Sequence, residues 1–404
     1  MIDTSRNMMY HIGNLNTETT RINYQMASGK AIEKGSENSL LHADLINLED
    51  KLRVTEGLKL QIVKSQAINN TADSNVAEVK TALDFIKVDL LKGLNDGMDR
   101  SDKLALATNL RGIRDNILDR VNTNVDGEYV FTGSVTTKQT MTKDNNFDLN
   151  GKVEFGGDGF LREIAVQPGS YRDRGVTAYD VVFYNGSSAA AGEQFTFEAD
   201  ERIIDENGHE WKLNSSKTHL QKYDHNGLLY DPLNSTNQIA IDSSTASIEA
   251  DTTRQATKET YTINHLPTSP EGRVFEAKHN YFDDLNVIIN ALEGQSTKLD
   301  GTKGGIIDDT LVWDTLSRGS TLSTKQFDAT NIGHGELGGR NNVFNIAFDK
   351  ITSQESNYNI LIQEWGGADL SKLAMESKSL EMTYSALYST ISKMTEMSLI
   401  NFLR

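Results

Sequence analysis

The sequence has no cysteine. Disulfides and thiolate metal sites are excluded, and the chain can work without regard to redox state. It has 4 prolines in 404 residues, so long helices can run uninterrupted along much of its length. No apolar run approaches the ~20 residues that a membrane-spanning helix needs. With a mean hydropathy of -0.48, the expectation is a chain that lives in water and has no membrane partner. The opening stretch, MIDTSRNMMYHIGNLNTETT, has no apolar core and no small-residue cleavage site, so it does not read as a secretory signal. That leaves cytoplasmic residence, or export by a route that reads a polar, flexible N-terminus. Positive charge is also scarce. The 40 Lys and Arg stand against 57 Asp and Glu, for a formal net charge of -17. Wholesale nucleic-acid binding needs a basic surface, and this composition argues against it.

What is present falls into helices, then strands, then helices. The length suffices for two or three domains with their own cores. Met8, Ile12, Leu15, Thr19, Ile22 and Met26 alternate four and three apart, which predicts a narrow helical seam. Ser28-Gly29-Lys30 breaks it. A second seam begins at Leu41, Leu45, Leu48 and Leu52, loosens around Thr55, Lys59 and Gln66, and resumes at Val76, Val79, Leu83, Ile86 and Leu90. Residues 38–95 therefore read as one long helix or two stacked end to end, stopped by Asp96-Gly97. Ser101 then looks like an N-cap for a further helix through Leu106, Leu110, Ile113, Ile117 and Val121.

The stretch from about 133 to 270 changes character. Asn-Gly occurs at 150–151, 185–186, 207–208 and 226–227. Flanked by strand formers, each is a hairpin signal, and an inserted antiparallel β region is expected. From about 274 a helical stripe returns at Phe282, Leu285, Ile288, Ile289 and Leu292. Gly-rich connections around 301–305 follow, and then another helix marked by Val343, Ile346, Phe348 and Ile351. Gly366-Gly367 ends it. In the last segment Leu373, Leu380, Leu387 and Met394 fall seven apart, with Tyr384 and Ile391 between them. The fold class is α+β. The two ends carry the best seams, a seam on an isolated helix needs another helix, and each end is the other's obvious partner.

No catalytic constellation is visible. None of the eight histidines makes an HExxH pair or any pair at helical spacing. His219 and His225 sit six apart in a loop-like stretch and read as solvated. Phe155-Gly156-Gly157-Asp158-Gly159 lacks the last glycine of a dinucleotide loop and no helix follows, so it reads as a hairpin turn. P-loop and nucleophile-elbow patterns are absent. Asp283-Asp284 and Asp308-Asp309 read as helix-start charges. No catalytic, cofactor-binding or metal-binding residue is assigned, and the chain is not expected to be an enzyme.

Three stretches resemble the flagellin superfamily of bacterial flagellar axial proteins. Gln25-Met26-Ala27-Ser28-Gly29-Lys30-Ala31-Ile32 is similar to the turn that follows the family's first helix. Gly35-Ser36-Glu37-Asn38 stands where the family usually has Ser-Asp-Asp-Pro. Val121-Asn122-Thr123-Asn124 with Gly127-Glu128-Tyr129-Val130-Phe131-Thr132-Gly133 resembles the segment that leads into the variable domain. It is typical of the family's hook–filament junction branch and not of its filament branch. Ala368-Asp369-Leu370 and the closing run from Ser389 to Leu403 resemble the family's last helix. The likeness covers about 1–133 and 340–404.

The resemblance implies a plan and a role. Residues 1–38 and 370–404 would form a terminal coiled-coil axial domain. Residues 39–132 and 274–369 would form an α-helical bundle domain, and 133–273 an inserted variable β domain. Subunits would meet along Met8, Ile12, Leu15, Ile22 and Met26 at one end, and Leu373, Leu380, Tyr384, Leu387, Ile391, Met394, Leu399 and Phe402 at the other. The chain would form a homo-oligomeric ring at the hook–filament junction, between hook-associated protein 1 and flagellin. The alternative is a filament-forming flagellin. The family is exported through the flagellar type III apparatus to an extracellular position. An export chaperone would hold the C-terminal helix at Leu380, Leu387, Ile391 and Met394. No cofactor is implied.

Overall fold

A computed structural model describes residues 2–94, 98–143, 152–199, 201–231, 234–248, 257–267, 274–298 and 302–402, with side chains left undescribed at 2–5, 235, 246–248, 257–258 and 397–402. The helices are α1 (Ile2–Ser28), α2 (Ser39–Gly93), α3 (Arg100–Val121), the short α4 (Ala178–Val181), α5 (Tyr281–Leu292), α6 (Asp309–Gly366) and α7 (Leu370–Phe402). The chain divides into two compact units. One holds Met1–Leu60 with Phe348–Arg404, the other Gln61–Ala347. The α+β class and the antiparallel character of the inserted strands are as the sequence implies.

The first unit is helical. α1 ends where Gly29 takes φ +69°. α2 starts on Asn38, whose side-chain oxygen accepts from Leu41 N at 3.1 Å. α2 is one continuous helix rather than two. Its single interior glycine, Gly57, faces open space, so it costs propensity but breaks no packing. The proposed stop at Asp96-Gly97 lies outside the described residues.

In the second unit, one apolar core joins α2 (Val76, Val79, Leu83, Ile86, Leu90), α3 (Leu110, Ile117, Val121), α5 (Leu285, Ile288, Ile289) and the first half of α6 (Val312, Leu316, Leu337). The cap of α3 is Asp99, whose carboxylate accepts from Asp102 N at 2.9 Å. The Ser101 expected from sequence lies inside the helix. The aspartate sits two residues earlier in extended backbone, and a charged acceptor suits the positive helix start.

α6 departs most from the sequence reading. Its 58 residues continue unbroken through Gly333, Gly335, Gly338 and Gly339, well before the Val343–Ile351 stripe that the sequence shows. Two of its glycines are there for contact. A Cβ on Gly319 would come 2.6 Å from Ile288 Cδ1, and one on Gly333 would come 2.6 Å from the Asp180 carbonyl. Buried polar side chains on this helix tie it to its neighbours. Gln326 Nε2 and Thr330 Oγ1 each donate to Val181 O at 2.9 Å, and Ser323 Oγ lies 2.6 Å from Tyr281 OH. Where the helix buries glycine and hydroxyls, its apolar stripe is interrupted.

Small hairpins lead into the inserted region: β1 (Asn124–Val125) with β2 (Glu128–Tyr129), β3 (Met141–Lys143) with β4 (Val153–Phe155), and β5 (Arg162–Gln167) with β6 (Ser170–Arg174). Then follow β7 (Phe183–Ala190), β8 (Phe195–Glu198), β9 (Arg202–Asp205), β10 (Glu210–Leu213), β11 (His219–Tyr223), β12 (Gln238–Ala240), β13 (Ser243–Ile248), β14 (Thr257–Ile263) and β15 (Val274–Asn280). A six-stranded antiparallel sheet has the order β12-β11-β10-β9-β15-β7, and a three-stranded one the order β13-β14-β8. Their shared core gathers Phe195, Phe197, Trp211, Leu220, Tyr261 and Phe275. A last hairpin pairs β16 (Gln295–Thr297) with β17 (Lys303–Ile306).

Residues 274–280, where a helix was expected to begin, form β15 beside both β7 and β9. Phe275, Ala277 and His279 are buried alternately, which is the strand period. Two Asn-Gly pairs make turns, at 207–208 between β9 and β10 and at 226–227 inside the loop closed by the Tyr223–Leu229 bridge. The pair at 185–186 lies within β7, opposite the register shift at Ala277/Lys278. There Gly186 leaves room for the Glu201 carboxylate. The pair at 150–151 lies outside the described residues.

Candidate assembly surface at the paired chain ends

α1 and α7 pack against each other, antiparallel. The register is set where the two helices meet their connections. Lys30 and Gly367 form an isolated antiparallel bridge. Ala31 N donates to Gly366 O at 2.7 Å, and Ala368 N donates to Gly29 O at 2.9 Å. Gln25, buried at the end of α1, donates its side-chain amide to the Ala31 carbonyl. This clamp gives Gln25, Gly29, Lys30 and Ala31 of the Gln25–Ile32 motif their roles. Gly29 supplies a left-handed backbone that any Cβ would strain, and Gly367 leaves no space for a Cβ beside the Gln363 carbonyl. Asp369 then opens α7, accepting from Lys372 N at 3.0 Å.

One turn further along, Arg21 ties the pair together. It lies 3.2 Å from Glu376 on α7 and 2.7 Å from Glu18 on its own helix. The Glu18 hydrogen bond leads the effects that raise the guanidinium pKa. The seam residues occupy graded positions. Ile22 and Leu373, nearest the clamp, are buried. Met8, Ile12, Leu15, Leu380, Tyr384, Leu387 and Ile391 are half-buried. Met26 and Met394 are exposed, at 46% and 39%. Gln25, not Met26, takes the inward position at the last turn of α1, because its amide is needed at Ala31. The side chains of Leu399 and Phe402 lie outside the described ones.

Half-burial of so many apolar side chains means that one helix partner is not enough to cover the seam. A groove of about 420 Å³ runs beside it, lined by Thr19, Ile22, Leu380, Tyr384 and Tyr388 among others. Tyr384 and Tyr388 stack with ring centroids 6.3 Å apart. α7 adds further exposed apolar groups at Leu370, Met375, Met382 and Tyr388, each more than half accessible. Exposed apolar surface on this scale marks an interaction face, and methionine suits one that meets more than one partner.

The Gly127–Gly133 motif lies in the second unit, where packing explains it. Asp126 and Gly127 both have positive φ, at 52° and 85°, and make the two-residue turn between β1 and β2. Phe131 and Thr132 are fully buried. Ala178 N donates to Phe131 O at 2.8 Å, and Asp158 N to Thr132 O at 3.0 Å. The Asp158 carboxylate in turn accepts from Ser134 N, Ser134 Oγ and Phe160 N at 2.9, 2.7 and 3.0 Å. Gly133 and Gly157 leave the room that this interlock needs. Glu128 accepts from Arg174 at 2.8 Å, with Arg162 at 3.1 Å and Lys64 at 3.8 Å. Burial works to raise its pKa, but the three cations prevail and hold the carboxyl below its usual range. Among the described residues, no cluster of three or more His, Asp or Glu is arranged to hold a metal ion. Nor, among the described residues, is any helix long and apolar enough to cross a membrane.

Fold and site together define an α+β chain whose termini pair as antiparallel helices and whose middle carries antiparallel sheets. No family model matches the chain. In sequence it is similar to flagellar hook-associated protein 3 of Salmonella typhimurium, 25% identical over 138 residues, which are 33% of this chain and 44% of that protein. It is 23% identical to flagellar hook-associated protein 3 of Escherichia coli over 153 residues, 36% of this chain and 48% of that one. The chain thus spans about half the length of the curated relatives it matches. It shares its fold with a chain from Vibrio parahaemolyticus described as a flagellar hook-associated protein. That match has a TM-score of 0.50 and 12% identity over 82% of this chain and all of the other.

Proposed function

We propose that this chain is a non-enzymatic structural subunit of the bacterial flagellum that acts as the adaptor at the hook–filament junction. The observation that carries the reading is the clamped pair of chain ends, with its half-buried seam and exposed methionine and tyrosine face. Such a surface gains most when it packs against further helices. Similarity to flagellar hook-associated protein 3 supplies the context.

In this reading copies of the chain assemble into a ring through Met8, Ile12, Leu15 and Ile22 on α1 and Leu373, Leu380, Tyr384, Leu387 and Ile391 on α7, with hook-associated protein 1 on one side and flagellin on the other. Residues 1–38 and 370–404 serve as the axial domain, 39–132 and 274–369 as the helical bundle, and 133–273 as the variable domain. The chain reaches its extracellular place through the flagellar type III apparatus. Until then an export chaperone shelters α7 at Leu380, Leu387, Ile391 and Met394, where exposed apolar groups would otherwise aggregate. A bulk assembly assay separates adaptor from filament. The purified chain, seeded or salted out, is expected to give no long polymers. Long filaments of this chain alone would overturn the adaptor reading in favour of a flagellin.

A further inference from the structure

Two of the Asn-Gly pairs sit in turns built alike. In Asp205-Glu206-Asn207-Gly208-His209, the Asp205 carboxylate Oδ1 accepts from Asn207 N at 3.0 Å and His209 N at 3.0 Å, and Gly208 N donates to Asp205 O at 2.9 Å. In Asp224-His225-Asn226-Gly227-Leu228, Asp224 Oδ1 accepts from Asn226 N at 2.9 Å and Leu228 N at 2.7 Å, and Gly227 N donates to Asp224 O at 2.9 Å. The glycines match as well, with φ +86° and +75°. The two turns differ in their surroundings. Gly208 is buried against the Gly159 and Phe160 backbone, and a Cβ on Gly159 would come 2.6 Å from the Gly208 carbonyl. Gly227 has nothing within 4 Å of where a Cβ would stand, and residues 225–229 are all exposed. A third pair, Asn185-Gly186, is held in β7, where Asn185 Nδ2 donates to Glu276 at 2.8 Å.

The structure assigns Asn226 as a site of spontaneous backbone-directed deamidation, and it assigns Asn207 and Asn185 as sites that the fold protects. The Gly227 amide nitrogen gives its proton to solvent and attacks Asn226 Cγ. A Cγ–N bond forms, the Cγ–Nδ2 bond breaks, and Nδ2 leaves as ammonia with protons from water. The five-membered imide then takes up one water and opens to aspartate or isoaspartate. The net change is one water consumed and one ammonia released, with no oxidation or reduction. Ring closure needs the Asn-Gly peptide to swing out of its turn. Gly227 is free to do so, and Gly208 cannot without pushing the Gly159–Phe160 backbone aside. The product carries one more negative charge, and its isoaspartyl form lengthens the main chain beside the Tyr223–Leu229 bridge.

The test uses the full-length native protein, held at mildly alkaline pH and sampled over time. Digestion and tandem mass spectrometry resolve the peptides bearing Asn226, Asn207 and Asn185. Deamidation at Asn226 is expected to run at least about tenfold faster than at Asn207, equivalent to a barrier difference of about 1.4 kcal/mol. In urea-unfolded protein the two rates are expected to converge, because both are Asn-Gly. Equal native rates, or a faster Asn207, would overturn the assignment. So would a gap that persists in urea, since neighbouring residues rather than the fold would then set the rates. The Asn226→Gln variant, which closes the imide ring far more slowly, is expected to lose the fast phase while keeping the native circular dichroism.

Discussion

Gly367→Ala tests the clamp that joins the chain ends. The methyl would overlap the Gln363 carbonyl, which accepts from Gly367 N at 2.9 Å. Relief requires residue 367 to move, and with it the bridge to Lys30. The two backbone hydrogen bonds at stake run from Ala31 N to Gly366 O and from Ala368 N to Gly29 O. Each contributes roughly 0.5–1.5 kcal/mol, so the expected loss is about 1–3 kcal/mol. Gly13→Ala is the matched control. Gly13 lies inside α1 with open space at its Cβ position, and the same chemical change there should stabilise by about 0.5–1 kcal/mol. Of the three tryptophans, at 211, 313 and 365, only Trp365 belongs to the first unit. Urea unfolding followed at the resonance of fluorotryptophan in position 365 therefore reports that unit. Gly367→Ala should lower the midpoint by roughly 0.5–1.5 M without changing the slope, for a slope near 2 kcal/mol/M. Gly13→Ala should raise it slightly. A Gly367→Ala midpoint equal to or above wild type would refute the clamp.

Three further outcomes follow from the geometry. Leu387→Asp places a charge on the half-buried seam, and it is expected to abolish motility and weaken α7-directed chaperone binding while near-ultraviolet circular dichroism of the sheets stays native; normal motility would count against the seam. Asp158→Ala strips the acceptor from Ser134 N, Ser134 Oγ and Phe160 N, and loss of these three bonds should cost about 2–4 kcal/mol, measured by chemical unfolding of the second unit. Glu128→Gln bears on pH. The cations hold the folded-state pKa below the unfolded value, so the charged carboxylate contributes stability above the ordinary glutamate range, and that contribution is lost as pH falls through the depressed pKa. The variant should be less stable than wild type at neutral pH, with the gap closing in acid; a constant gap would contradict the ion cluster.

The parts of the fold that were legible in the sequence are those where one period dominates. The α5 stripe and the α1 and α7 seams could be read directly, because apolar residues recur in each at helical spacing. α6 was legible only around Val343–Ile351, because further back its contacts include Gly319, Gly333, Gln326 and Thr330, small or polar residues that interrupt the apolar period. β15 was hidden by its position between two regions, and only the alternate burial of Phe275, Ala277 and His279 gives it away. At the chain ends, periodicity found the stripe but not the clamp, whose bonds are mostly backbone and carry no side-chain signature. Gln25 is the exception. A glutamine three residues before Ser28-Gly29 could have been read as a side chain folding back onto the turn. The Tyr129–Gly133 stretch, which resembles the junction branch, is explained in the structure by Phe131, Thr132 and Asp158 packing, so its residues speak to the fold.

The central claim is the place of this chain between hook and filament. Electron microscopy of cells lacking it, beside cells carrying the wild-type or Leu387→Asp chain, tests that claim most directly. Hooks without filaments and flagellin shed into the medium are expected in the deletion strain and the Leu387→Asp strain, with attached filaments restored by wild type. Normal attached filaments in the deletion strain would contradict it.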